Sequence, residues 1–282
     1  MWQLPYNVFA CKLKENPSLS NFQGWMPVVL GLADSSWWRW CVAIVRVNRL
    51  ASQMRHRVAL LAVPIFCLGF FVVILRLLAS SDVRTDTFYV GFYSLVGAGW
   101  LGSATFVFPL LGISARDDVI ERRNASASWA ISGALIGVTL CFAGANTGNG
   151  PGLHAVLFCA ILSTSAFFLL WLGVEMLAAP SEAVTVERDT AAGMRLGGFL
   201  VALAIILGGA VAGPWQSVSA TVRDLMRVGW PALPLAGVAT FVERSRERGT
   251  RPLVRRILNS AGIAPVYIVA AAVYVALRGD WS

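Results

Sequence analysis

The chain has 282 residues, 57% hydrophobic and only 13% charged, with a mean hydropathy of +0.66. A soluble domain carries about a quarter charged residues, so this composition excludes an ordinary water-soluble fold. The net charge of +8 and the pI near 9.8 do not point to nucleic acid, because loops this short supply no basic, groove-reading surface.

Residues 1–53 differ in composition from the rest of the chain. They hold five of the eleven tryptophans and both lysines, Lys12 and Lys14. Two readings stay open. In one, Met54-Arg-His-Arg followed by an apolar run is a natural start, and the upstream part is over-extended translation. In the other, 1–53 is an arm on the membrane, with Trp37, Trp38 and Trp40 at headgroup depth and Arg39, Arg46 and Arg49 facing lipid phosphates. Cleavage after the first apolar run is not expected, because Leu77 and Ala79 do not form a small-x-small site.

From Met54 onward the sequence reads as seven apolar stretches: 58–79, 88–113, 127–146, 153–178, 196–213, 225–242 and 257–277. Runs of about 20 apolar residues cross a ~30 Å hydrocarbon core as helix. They lack the alternation of a barrel, so the expected fold class is all-α, a polytopic membrane protein. The stretch 225–242 contains Pro231 and Pro234. Proline removes a backbone donor and clashes with the preceding turn, which predicts a kinked, locally unwound or re-entrant segment.

Arginine sets the expected orientation. The first run's flank with Arg55 and Arg57, and the loops 114–126, 179–195 and 243–256, carry thirteen arginines; the other side holds Arg84, Arg223 and Arg278. By the positive-inside rule the N-terminus is in and the C-terminus out, with anionic headgroups as partners of the Arg-rich inner loops. The expected organisation is an arm (1–53), a first helix with its outer loop (54–87), two two-helix units (88–146 and 153–213) and a C-terminal helix pair with an Arg-rich inner loop (214–282).

The two units share a short motif. Val119-Ile-Glu-Arg-Arg-Asn-Ala-Ser-Ala127 and Thr185-Val-Glu-Arg-Asp-Thr-Ala-Ala-Gly193 each precede an Ala/Gly-rich stretch, which aligns Glu121 with Glu187, Arg122 with Arg188 and Ala125 with Ala191 at a spacing of 66. Both units run in the same sense, so they are parallel repeats and not the inverted repeats of many transporters. A duplicated helix pair with a loop of the form acid-Arg-x-Asn-x-Ala-Ala resembles the YjfL-type family of bacterial inner-membrane proteins over about 88–213. The residues that carry the resemblance are Glu121, Arg122, Asn124 and Ala125, then Glu187, Arg188, Thr190, Ala191 and Ala192. Arg123 or Asp189 stands where the family has glycine, and Thr190 where it has asparagine. The resemblance implies architecture and a place in the bacterial cytoplasmic membrane; it implies no reaction.

Sites for chemistry are scarce. The histidines are His56 and His154, no Cys/His/carboxylate spacing suits a metal, and the five cysteines form no CxxC. No cofactor is expected. Gly97-Ala-Gly-Trp-Leu-Gly102 matches a dinucleotide fingerprint in letters, but it lies inside an apolar stretch without the strand that the motif needs. Close helix packing is the better reading there, as it is for Gly133-xxx-Gly137, Gly193-xxx-Gly197 and Gly209-xxx-Gly213.

Charges bordering the apolar stretches are the remaining candidates: Glu175, Arg76 and Arg227, which snorkelling or interfacial pairing would also explain. The turn Ala145-Asn-Thr-Gly-Asn-Gly-Pro-Gly152 is a tight connector whose amides could receive a small polar ligand. Ser163, Thr164 and Ser165 form a polar step in the middle of 153–178. No nucleophile–base pair can be named, so no enzyme is expected. The expected function is a non-enzymatic scaffold or accessory subunit, working as a homo-oligomer or with another membrane protein. The alternative is a channel or transporter for a small solute or ion.

Overall fold

The computed structural model describes residues 54–150, 152–247 and 261–278, together with Gly31, Trp37 and Trp40. The rest of 1–53, and Arg248, Arg251, Arg255 and Arg256 of the expected inner loop, lie outside the described residues.

Helix dominates the described residues, which hold no strand beyond one isolated bridge between Ala79 and Gly148. In chain order the helices are α1 (Met54–Leu78), α2 (Ser81–Thr85), α3 (Thr87–Ala104), a 3₁₀ turn (Phe108–Leu111), a π-helical segment (Ala115–Glu121), α4 (Ala125–Ala145), α5 (Leu153–Ala178), α6 (Pro180–Thr185), α7 (Thr190–Val211), α8 (Val218–Gly229), α9 (Ala232–Glu247) and α10 (Ile263–Arg278). Side-chain caps set several of the starts. Asp86, Asn124, Asp189 and Ser217 each accept a backbone N–H from the first turn of the next helix.

Four helical segments are long and apolar enough to cross a membrane: Leu60–Leu78, Ala125–Ala145, Leu153–Ala178 and Thr190–Val211. A fifth is added if α8 and α9 form one span; they meet at a 43° bend. That bend falls at Trp230-Pro231, where the proline pair predicts a kink. The expected stretch 225–242 is therefore only part of a longer bent pair. The expected stretch 88–113 is not one helix either. It stops as α-helix at Ala104 and turns through the 3₁₀ segment to Gly112 in the left-handed region (φ 83°). α10, at 16 residues, is shorter than the four.

The outward faces are apolar. Leu110, Met176, Leu169, Phe241, Ile65 and Leu277 are all more than 60% exposed, and an exterior this greasy suits lipid and not water. The interior is organised on α4 and α7. A Cβ on Gly133 would run into the backbone of Gly197, one on Gly144 into that of Gly208, and one on Gly193 into that of Ser126. The paired numbers rise together, so the two helices run parallel and touch backbone to backbone along their length. Small residues permit this approach, and it maximises dispersion contact where lipid offers no hydrophobic drive.

Neighbouring helices pack on this pair through aromatics and a few hydrogen bonds. Phe142 of α4 meets Phe71 of α1 at 5.1 Å and Trp100 of α3 at 5.8 Å between ring centroids. Trp100 Nε1 donates to Thr164 Oγ1 of α5 (3.2 Å), and Ser163 Oγ donates back to Cys159 O (2.9 Å), so two of the three residues of the mid-helix polar step are used in packing, while Ser165 is exposed. Tyr274 Oη of α10 donates to Val228 O at the end of α8 (2.8 Å).

Trp37 Nε1 donates to Ala98 O of α3 (2.8 Å), and Trp40 is buried in the main core beside Leu60 and Leu101. These two indoles pack against the helices.

Candidate functional site

The helix directions sort polar residues to two ends of the bundle. One end, here the charged end, carries the turns before α4 and α7. The other, the cleft end, carries the segments 79–86, 146–150 and 212–217.

At the charged end the two turns have matching backbones. Arg123 and Arg188 sit in the left-handed region (φ 54° and 55°). Asn124 N–H reaches Asp118 O and Asp189 N–H reaches Ala183 O, both at 3.0 Å; Asn124 Oδ1 accepts from Ser126 N and Asp189 Oδ1 from Ala191 N, both at 2.9 Å. The equivalence pairs Arg123 with Arg188 and Asn124 with Asp189. It is one residue short of the spacing of 66 from the sequence, which corrects the pairing of Glu121 with Glu187 and Arg122 with Arg188. Identical letters misled the alignment; the conformational role is carried by the cap and the left-handed residue before it.

The candidate residues in these turns divide sharply. Asn124 is 2% exposed, caps α4 and donates through Nδ2 to Val184 O (2.6 Å), so it ties one turn to the other. Ser126 Oγ donates to Asp189 O at 2.5 Å and makes the reciprocal tie. Glu121 is exposed and pairs with Arg116 (3.2 Å); Arg122 is exposed and pairs with the buried Asp118 (3.1 Å). Glu187 and Arg188 are exposed. Glu175 does not face lipid as a bare charge. Its carboxylate accepts from Ser181 Oγ and from Ser181 N (3.2 Å) at the start of α6, beneath Gly112. Arg76 folds over the cleft end, donating to Arg84 O (2.9 Å) and Thr87 Oγ1 (3.2 Å), while Arg227 is exposed on α8. These eight residues are therefore not gathered into one site.

Sequence reasoning missed the charged end's main feature. Arg195 is 1% exposed, in the second turn of α7, and binds Glu243 of α9 side-on: Nε to Oε1 at 2.7 Å and Nη2 to Oε2 at 3.0 Å. Asp189 Oδ2 lies 3.7 Å from Nη2. Two parallel charge-assisted bonds are the strongest geometry available to a guanidinium. Hydropathy places Arg195 in the loop 179–195, among the arginines facing lipid headgroups; it is inside the protein because α7 starts at Thr190. A signal was present. Gly193 and Gly197 are a packing pair at helical spacing, and Arg195 stands between them.

At the cleft end three segments are joined by backbone bonds. Gly148 N–H donates to Leu78 O (3.4 Å), Gly213 N–H to Thr147 O (3.0 Å) and Trp215 N–H to Asn149 O (2.8 Å). Gly148 has φ 96°, and a Cβ there would strike the backbone of Gly213. Around this junction lies a cleft of about 70 Å³, walled by Tyr93, Asn146, Thr147, Trp215, Thr221 and Asp224 among others. It is large enough for a few waters or one small solute. The expected ligand-receiving turn at 145–152 does line a cavity.

Between the ends the interior along α7 is apolar. α7 places Leu200, Leu203, Ile206 and Leu207, all nearly inaccessible, along the roughly 24 Å that separates Arg195 from Val211. Among the described residues no group of His, Cys, Asp and Glu could hold a metal ion. Comparison with protein-family models, curated proteins and solved structures finds no match to this chain.

Proposed function

We propose that this chain is a seven-pass protein of the bacterial cytoplasmic membrane, N-terminus in and C-terminus out, acting without catalysis as a scaffold or accessory subunit. The observation that carries this reading is how its buried and half-buried charges are used. Arg195, Glu243, Asp118 and Glu175 are all engaged in contacts that join helices or cap them. Between the two ends the helices close on one another through glycine and apolar side chains. That is an interior built for a fixed shape, in keeping with the cost of burying unpaired charge.

The Arg-bearing turns before α4 and α7 share one end, as the positive-inside assignment requires, and they would meet anionic headgroups there. The matched turns support a parallel duplication of the helix pair. They support the YjfL-type resemblance too, since the left-handed Arg123 and Arg188 occupy the position where a glycine would be free of strain. α3 and α10 would complete the seven crossings. Homo-oligomers or a second membrane protein would pack on the apolar outer faces.

The test is affinity purification from native membranes in mild detergent, with mass spectrometry of all that is retained. A stoichiometric partner supports the subunit reading. A second reading, transport of a small solute, is favoured by the cleft and by the 43° bend between α8 and α9. Recovery of a lone homo-oligomer that passes solute in liposomes would establish transport and overturn the scaffold. For orientation, a single cysteine replacing Thr147 should react with an impermeant thiol reagent from outside intact cells, and one replacing Val186 only after lysis; the reverse pattern would invert the topology.

A further inference from the structure

The cleft has a definite chemical character that the scaffold reading does not use. Asp224 is its one charged lining residue among those described; it is exposed and makes no ion pair with another described residue. Arg223, next to it, is turned to Ser219 O (3.3 Å). The inner wall is rich in acceptors. Thr147 Oγ1 donates its proton to Ala143 O (3.1 Å), Thr221 Oγ1 to Ser217 O (3.1 Å), and Asn146 Nδ2 to Phe142 O (2.8 Å). Each of these side chains spends a hydrogen on its own helix, so the hydroxyl oxygens and the amide oxygen are left with lone pairs. Tyr93 and Trp215 add aromatic surface.

We propose that this cleft binds a small primary ammonium ion, of the size of ethanolamine. An ammonium has three donors and no acceptor, and it finds here the two spent hydroxyls, the Asn146 amide oxygen and the Asp224 carboxylate. Aromatic rings favour the same charge and disfavour an anion. The volume, about 70 Å³, suits an ion of two or three carbons. The backbone junction of Gly148, Gly213 and Trp215 holds the wall in place without any ligand, so little ordering opposes binding.

The test is calorimetry on the full chain in nanodiscs at neutral pH, with ethanolamine and with the uncharged ethylene glycol. Ethanolamine should bind saturably, and ethylene glycol about tenfold or more weakly, the value of losing a charge-assisted bond. Asp224→Asn, on an exposed helix face, should fold normally and lose the preference for the amine. Ala212→Leu keeps the carboxylate and fills the cleft, so it should lose ethanolamine binding with an unchanged melting profile. Equal binding of the two ligands, no binding of either, an unaltered Asp224→Asn, or an Ala212→Leu variant that binds like the parent would each overturn the proposal. The last of these would mean that the cation is held only by surface charge.

Discussion

The two ends of this bundle handle polarity in opposite ways. At the charged end one arginine and one carboxylate, Arg195 and Glu243, are drawn into the protein and paired, and polar side chains are used as caps, as with Asn124 and Asp189. At the cleft end the chain is joined by glycines and backbone bonds, and its one lining carboxylate among the described residues, Asp224, stays exposed. Buried charge must be paired because its desolvation is costly; a neutral turn can stay open because its polar groups are satisfied by short-range backbone partners. One end is thus a clamp and the other a receptacle, and both depend on the parallel α4–α7 contact between them.

That dependence gives the largest expected effect. Replacing Gly144 or Gly133 with leucine forces a side chain into the facing backbone of α7, where no rotamer relieves the clash. The cost should exceed the about 1–3 kcal/mol of ordinary overpacking. Size-exclusion chromatography should show aggregated or absent protein, whereas leucine at Gly173, which has open space around it, should be recovered as a normal peak.

Next in size is the clamp. Glu243→Leu leaves Arg195 buried without its main partner, and the expected loss is about 3–5 kcal/mol. The double change Arg195→Met with Glu243→Leu should regain most of it, because an apolar pair of similar volume pays no desolvation. Thermal unfolding in detergent reads both. A double variant as unstable as the single one would mean that the pair fixes the helix register and not only its own charge balance.

A smaller loss is expected at the cap. Asn124→Ala removes both the α4 cap and the tie to Val184, for about 1–2 kcal/mol. The smallest effect has the opposite sign. Arg123→Gly and Arg188→Gly relieve left-handed backbone strain and should add up to about 1 kcal/mol of stability each, seen as a slightly higher melting temperature. A fall instead would show that these guanidinium groups make contacts worth more than the strain.

Much of the architecture was legible because lipid makes hydropathy a strong signal. The stretch 153–178 matches α5 to the residue, and the proline pair marks the bend between α8 and α9. The spacings at Gly133 and Gly193 marked helix contacts, though not which helices would meet, whereas Gly213 lies beyond α7 in a turn with φ 126°. Helix ends were less legible. Hydropathy assigns an arginine to a loop, so it misplaced Arg195 and hid the ion pair, while the matching of repeated letters missed the one-residue shift between the turns. Of the candidate site, the turn at 145–152 was visible for its Asn and Gly content; Asp224, distant in sequence, was not.

The helical class, the asymmetry of charge between the two ends and the weak point at Pro231 were all written in the order of residues, because each is a matter of local chemistry against a uniform apolar solvent. Packing alone decided that α4 and α7 are the parallel centre, that Arg195 faces Glu243, and that Asp224 joins the turn at 146–150 to form a cleft. Those outcomes are meetings between residues some fifty to eighty positions apart. No periodicity encodes them; they exist only once the helices have packed.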